Sequence, residues 1–179
     1  DTFGKSLTVQ LGIPNTAGVV TPYTLIGTKV PSAQFTFEID KPVESQWDLD
    51  AKDITEAQPL VAASYSPSSR PFVGTDTSVK VGTVGAEASV TGVKKATVKI
   101  DRGLKTDRFY FGSQGLKAEP IVADFAKITG TIGADFVDKT VWADRFAADT
   151  PFSLVLESVG LVISGAYYAT FRITLPQCF

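Results

Sequence analysis

The clearest alternation of hydrophobic and polar positions in the chain lies between residues 126 and 157. Small or apolar side chains occupy the even positions from Ala126 to Phe136, while most odd positions are polar or charged. A repeat of two residues is typical of a strand with one buried face. The pattern therefore predicts a strand over Ala126–Val137, with its even positions turned toward a core.

A short helix is predicted to follow this strand, over residues 138–148. Asp138 can cap it, because its carboxylate can accept hydrogen bonds from the free amides of a first helical turn. Trp142 and Phe146 lie four residues apart and would share one face of the helix. Pro151 disfavours helical backbone at the residue before it, so it is expected to end the helix.

Alternation predicts further strands, joined by turns that are rich in glycine, proline and hydroxyl side chains. These strands cover residues 6–11, 34–40, 46–52, 58–64, two short segments within 78–90, 93–101, 109–111, 152–157 and 166–175. Residues 34–40 and 46–52 would form a hairpin in which Trp47 and Leu49 point inward. Residues 160–165 are predicted as a loop.

These elements predict one domain of 179 residues that is mainly β. It would consist of an N-terminal arm with one short strand at 1–33, a β core at 34–179 and an extended loop at 65–77. Half-buried strands joined by turns favour antiparallel sheets. The predicted architecture is an antiparallel β-sandwich or barrel with one short α-helix packed on it.

The composition shows no positive sign of catalysis or of electrostatic binding. Charged residues make up 20% of the chain and the net charge is −2, which lacks the basic character typical of electrostatic binding to nucleic acids or membranes. Histidine is absent, which removes the commonest general base and metal ligand. Cys178 is the only cysteine, so no internal disulfide can form. The sequence predicts neither an enzyme nor a cofactor or metal site.

Three short motifs resemble ligand-binding sites but are better explained as ordinary structure. Asp48 and Asp50 have the spacing of a calcium loop, yet the required glycine is missing and the alternation puts them on a strand. Gly82–Gly85 and Gly130–Gly133 share a G-x-x-G spacing, but neither begins a helix as a phosphate loop would. Residues 94–111 combine basic and aromatic side chains, as in single-strand binding, but acidic residues are interspersed.

A resemblance to a known family lies in the same central segment. Residues 127–160, KITGTIGADFVDKTVWADRFAADTPFSLVLESVG, resemble the strand–helix–strand core of the tail tube (major tail) proteins of long-tailed bacteriophages. The segment TFEIDKPVESQWDLDAKD, residues 36–53, resembles the early hairpin of these proteins. The segment YYATFRITLPQCF, residues 167–179, resembles their late strand.

The resemblance implies a homohexameric ring that stacks into a hollow tail tube, with each subunit adding strands to a continuous inner barrel. It implies that double-stranded DNA passes through the tube at ejection without specific binding, and that a tape-measure protein fills it beforehand. Other tail proteins would be further partners. The protein would be a structural, non-catalytic part of the virion tail, assembled in the host cytoplasm.

Two groups of residues are candidates for these roles. Four acids occupy the outward side of the predicted hairpin: Glu38, Asp40, Asp48 and Asp50. If they line the lumen they would repel phosphate, and the alternative is a solvent-facing surface outside the tube. Three residues of the extended loop are candidates for subunit and ring contacts, together with the N-terminal arm: Tyr65, Arg70 and Phe72. The alternative is that this loop folds over its own core.

Two other classes of protein stay open. One is the tube of a contractile injection machine, or a related tail part such as a terminator or distal tail ring. The other is a carbohydrate- or protein-binding β-sandwich, which usually exposes a cluster of aromatic residues. Trp47 and Trp142 instead alternate into the predicted core. A β domain also has sheet edges that must be covered, and head-to-tail pairing with a neighbour can close a ring.

Overall fold

The computed structural model describes residues 5–64 and 70–179. The chain groups into two compact units. The first comprises Asp1–Gln34, Gln46–Tyr65 and Lys99–Thr129, and the second comprises Phe35–Ser45, Ser66–Val98 and Gly130–Phe179. The prediction of one domain divided into an arm and a core stays a prediction.

Thirteen strands, one α-helix and one 3₁₀ turn lie within the described residues. They are β1 (Leu7–Pro14), β2 (Val20–Thr28), β3 (Ser32–Glu38), β4 (Glu44–Trp47), β5 (Asp53–Thr55), the 3₁₀ turn (Gly74–Asp76), β6 (Thr77–Thr83), β7 (Ala86–Ser89), β8 (Val93–Asp101), β9 (Leu104–Lys105), β10 (Ile121–Val122), β11 (Lys127–Ala134), α1 (Ala143–Ala147), β12 (Phe152–Ser164) and β13 (Tyr167–Cys178). Several antiparallel sheets form, and none closes into a barrel in the described part of the chain. The mainly-β, sandwich-like fold with one short helix is confirmed.

In the first unit, strands β1, β2 and β5 form an antiparallel sheet in that order. The turn between β1 and β2 is held by Asn15, whose Oδ1 accepts hydrogen bonds from the amides of Ala17 and Val19, both at 2.9 Å. Gly18 adopts φ +79°, which suits glycine at such a turn. Residues 7–28 therefore form a hairpin, called here the N-terminal ribbon, where an extended arm was predicted.

In the second unit, the central sheet has the order β13-β12-β6-β7. Its buried side chains include Val79, Val81, Leu154 and Leu156. Phe171 of this sheet packs against rings of other segments, with centroids 5.4 Å from Phe35, 6.0 Å from Phe37 and 6.3 Å from Phe72. The core of this unit therefore lies between the central sheet and residues of β3 and β8.

The last two strands extend beyond the rest of the central sheet. The pairing of β12 with β6 ends at Ser158 opposite Thr77, whereas β12 and β13 stay paired as far as Ser164 and Tyr167. Residues 159–170 thus form a two-stranded projection, called here the C-terminal ribbon. The predicted loop at 160–165 is wrong, because Gly160 continues the strand beneath the ring of Phe72.

Several strand predictions agree closely with the structure. Residues 93–101 form β8 with the predicted bounds, and Ala96 and Val98 are buried as expected. The two short strands predicted within 78–90 are β6 and β7. The prediction for 34–40 corresponds to β3, which neighbours β4 in one sheet as a hairpin requires.

Other strand predictions are wrong. Residues 46–52 do not form one strand, because β4 ends at Trp47 and β5 begins at Asp53. Trp47 and Leu49, predicted to point inward, are 51% and 44% exposed. The described residues 58–64 contain no strand, and residues 109–111 provide only an isolated bridge to Lys117. Alternation indicates two faces of a strand, but it does not indicate which face the chain itself covers.

The central strand–helix–strand segment is present with two corrections. Strand β11 lies at the end of the sheet β11-β8-β3-β4, and Ile132 is its only half-buried residue, so the predicted buried face is wrong. The helix is shorter than predicted, since it begins only at Ala143. The Asp138 carboxylate accepts a hydrogen bond from the Thr140 amide at 2.8 Å, within a turn that precedes the helix. The helix ends before Pro151 as predicted.

Candidate assembly surfaces

Two of the four acids proposed for a lumen wall lie in the second unit. The Glu38 carboxylate is paired with the ammonium groups of Lys41 at 2.9 Å and Lys95 at 3.3 Å. Lys41, and then Lys95, lower the pKa of Glu38 below its usual value. Asp40 is exposed to solvent at the turn that follows β3. Of these two acids, Asp40 is the more exposed to solvent.

The other two acids, Asp48 and Asp50, lie in the first unit and are engaged in local contacts. The Asp48 carboxylate accepts a hydrogen bond from the Ser32 hydroxyl. Asp50 forms an ion pair with Lys117, and its backbone forms a bridge with Lys29. Lys117 therefore partly compensates the charge of Asp50 inside the subunit, whereas the contact of Asp48 is with a neutral hydroxyl. The alternation pattern indicated neither contact.

Arg70 and Asp76 hold the described part of the extended loop together. The two guanidinium nitrogens of Arg70 lie 2.9 and 3.1 Å from the two carboxylate oxygens of Asp76. This pairing lowers the pKa of Asp76. Asp76 also accepts a hydrogen bond from the amide of Val73 at 3.3 Å. Tyr65, the third loop residue predicted to make subunit contacts, lies outside the described residues.

Phe72 packs within its own unit. Its ring contacts Phe171 and lies over Gly160, where an added Cβ would come within 3.0 Å of the ring. Its carbonyl accepts a hydrogen bond from the amide of Val43 at 2.7 Å. Phe72 therefore packs on its own unit, and a contact of this loop with a neighbouring subunit stays a prediction.

Many large apolar side chains are exposed, and the two ribbons carry a large share of them. On the N-terminal ribbon they are Leu7, Leu11, Ile13, Val19, Val20 and Ile26. On the C-terminal ribbon they are Val159, Leu161, Val162, Ile163, Tyr167 and Tyr168. The N-terminal arm was already a candidate for subunit contacts from the sequence, whereas the C-terminal ribbon was missed, although a long stretch without charge signals it.

A further apolar feature surrounds the short helix. Trp142, Phe146, Phe152 and Phe179 help to line a cavity of about 310 Å³. Trp142 packs edge-on against Phe152 with centroids 6.1 Å apart, and the guanidinium of Arg145 lies over the same ring at 6.0 Å. Trp142 and Phe146 therefore border one cavity, although Trp142 lies just before α1 and so does not share a helical face with Phe146 as predicted.

The described residues contain no cluster of histidine, cysteine, aspartate and glutamate that could hold a metal ion. Among them there is also no helix with the length and apolar character needed to cross a bilayer.

Comparison with known proteins identifies a family. The sequence matches the model of a family described as phage tail tube protein over residues 2–177, nearly the whole chain. A search of curated proteins gave no significant match. The matched range includes both ribbons, the extended loop and the central strand–helix–strand segment.

Proposed function

The chain belongs to the phage tail tube protein family, and from this premise we propose that six copies form a ring and that the rings stack into a hollow tube for DNA ejection. Membership of the family makes the protein a structural subunit of the virion tail that assembles with itself and with other tail proteins. The proposal adds the number of subunits, the tape-measure protein that fills the tube, the passage of double-stranded DNA and assembly in the host cytoplasm.

The exposed apolar surface supports self-assembly. Soluble monomers rarely expose contiguous apolar patches of more than a few hundred Å² unless these bind a partner. Here both ribbons expose rows of aliphatic and aromatic side chains. Sheet ends such as β1, β11 and β13 also offer unpaired backbone groups in the described structure, and a neighbouring strand can satisfy them.

Electron microscopy of the concentrated full-length protein tests this proposal. We expect hollow tubes or rings of uniform diameter in negative stain, and six-fold symmetry in averaged end-on views. Rings with another symmetry would contradict the hexamer but would still support the proposal of a tube. Protein that remains monomeric at high concentration, together with tails that assemble without it, would contradict the proposed function.

We further propose that the tube lumen is acidic, because negative charge on the wall repels phosphate and keeps DNA from binding. Glu38, Asp40, Asp48 and Asp50 remain the candidates for this wall. Asp40 is the best position for a test, because it is exposed at a turn. The lysines paired with Glu38 and Asp50 would reduce the repulsion that those two acids provide.

Chemical accessibility distinguishes a lumen position from an outer one. An Asp40→Cys variant, made with Cys178→Ser, would be treated with a small maleimide or with a maleimide carrying a long polymer. In tubes, a lumen residue should react with the small reagent and resist the large one, while both should label the monomer. Full labelling of tubes by the large reagent would place Asp40 outside and end its assignment to the lumen.

A further inference from the structure

The charged residues of this chain are unevenly distributed along the sequence. Residues 6–28 contain no aspartate, glutamate, lysine or arginine, and neither do residues 158–171. These are the two longest uncharged stretches, and Lys5, Lys29, Glu157 and Arg172 border them. In the structure, the first stretch is the N-terminal ribbon and the second is the C-terminal ribbon with its flanking residues.

The C-terminal ribbon is largely uncovered by its own subunit. Beyond Ser158 its two strands pair only with each other in the described structure. Its six large side chains are between 40% and 77% exposed. An isolated two-stranded hairpin is at best marginally stable in water, so a ribbon of this composition needs a covering surface.

The uncovered area is close to what a stable interface requires. Taking about 200 Å² for a large side chain when fully exposed, the exposed fractions of the six side chains amount to roughly 700 Å². Each partner in a standard protein–protein interface contributes about 800 Å². With the neighbouring small residues and backbone, the ribbon offers enough surface for a specific contact.

The N-terminal ribbon offers a matching surface. A partner with charged groups would have to bury them against the uncharged C-terminal ribbon, and their desolvation would cost much free energy. The preferred partner surface is therefore also uncharged. Leu11 and Ile13 of β1 are exposed and belong to the longest uncharged stretch of the chain. Strand β1 ends its sheet and strand β13 ends its own, so each has an open backbone edge in the described structure.

We propose that the C-terminal ribbon of one copy packs on the N-terminal ribbon of a second copy. This inference rests on the proposed function, because it assigns the surfaces through which tail tube subunits meet. The two surfaces differ, so the contact is heterologous and can repeat from copy to copy. A contact between two identical ribbons would instead stop at a dimer.

Site-specific cross-linking of the full chain tests the pairing. All variants would carry Cys178→Ser, so that no other cysteine is present. Leu11→Cys and Ile163→Cys would be made singly and in combination, and each protein would be treated with a short bis-maleimide. We expect a ladder of dimers and larger species from the double variant. A mixture of the two single variants should give dimers only, and neither single variant alone should cross-link. Cross-linked dimers from Ile163→Cys alone, or no cross-links in any sample, would overturn the pairing.

A charge placed on the ribbon provides a second test. Ile163→Glu should raise the protein concentration needed for assembly by more than about tenfold, because the carboxylate would be buried without a partner. The matched control is Val84→Glu in the β6–β7 turn, which is 62% exposed against 73% for Ile163. The control should assemble normally, and both variants should retain the circular dichroism of the wild type.

The outcomes separate this inference from the proposed function. If the wild type forms tubes and Ile163→Glu assembles normally, the ribbon pairing is overturned and the proposed tube function still holds. Cross-linked ladders from a protein that never forms rings or tubes would support the pairing and contradict the proposed function. A protein that shows neither cross-links nor assembly would contradict both.

Discussion

Glu157 lies directly opposite Arg172 in the β12–β13 pair, and its carboxylate accepts a hydrogen bond from Nε of that residue at 2.9 Å. On the other side, the ammonium of Lys80 on β6 donates to the same carboxylate at 2.6 Å. One carboxylate therefore joins three neighbouring strands of the central sheet. Lys80, and then Arg172, lower the pKa of Glu157.

This arrangement predicts that acid weakens the second unit. Because the pKa of folded Glu157 lies below its ordinary value of 4.5, its ion pairs stabilise the fold above that pH. The contribution is lost as the pH falls through the lowered value. Glu157→Gln should reduce the free energy of unfolding by about 1 kcal/mol near pH 7. Urea unfolding at several pH values should show this difference narrowing once the pH is below 4.5 and closing as the pH falls through the lowered pKa of Glu157.

The matched control for this experiment is Glu56→Gln, which alters an exposed glutamate of the first unit. It should leave unfolding near the wild-type value at every pH. A constant difference between Glu157→Gln and the wild type, from neutral to acidic pH, would show that the ion pairs of Glu157 do not stabilise the sheet.

Phe171 is predicted to be a major contributor to stability. Its ring contacts Phe35, Phe37 and Phe72, which come from three positions along the chain. Phe171→Ala should lower the free energy of unfolding by about 3 kcal/mol, because it leaves a cavity among these rings. Phe125→Ala is the control, since Phe125 is 93% exposed. Equal melting temperatures for the two variants would contradict this role.

Two glycines of β11 should respond differently to the same substitution. A Cβ on Gly130 would come within 2.7 Å of the carbonyl oxygen of Thr97, whereas one on Gly133 would meet Lys95 at an ordinary 3.7 Å. Gly130→Ala should therefore destabilise the protein by about 1–3 kcal/mol in thermal or urea unfolding. Gly133→Ala should be close to neutral, and the reverse order would contradict the geometry of this strand.

Arg70 is predicted to affect assembly more than folding. Its ion pair with Asp76 is on the surface, and such pairs add little stability. If the loop contacts a neighbouring ring, Arg70→Ala should slow or prevent tube growth while the melting temperature changes little. Lys139→Ala removes another surface cation, whose ion pair with Asp144 is longer at 3.8 Å, and serves as control. Normal tube growth by Arg70→Ala, followed by light scattering, would exclude Arg70 as a ring contact.

Local sequence patterns predicted the strands correctly where the side chains of those strands pack within one subunit. The bounds of β8 were predicted correctly because its alternating side chains pack inside one subunit, with Ala96 and Val98 buried. The β6–β7 hairpin was predicted from glycines at its turn, and Gly85 does adopt φ +82° there. In these segments the sequence contains both the periodicity and the turn that terminates it.

Local patterns failed where tertiary contacts decide the outcome. Gly160 was interpreted as part of a loop, but the ring of Phe72 packs over it and the strand continues. Asp138 was interpreted as a helix cap, but it stabilises a turn before the helix. Trp47 and Leu49 alternate correctly and yet remain exposed, because alternation cannot show whether a face is covered within the subunit or by another chain.

The ring of Phe72 lies on Gly160, at the base of the C-terminal ribbon, and so ties the extended loop to the surface proposed to bind a second copy. A neighbour that fixes the loop would also restrict the ribbon, so the conformational entropy lost at the first contact would not be lost again at the second. Growth from such subunits should be cooperative. Assembly would then begin after a lag and proceed by addition to existing ends, in preference to the formation of new ones.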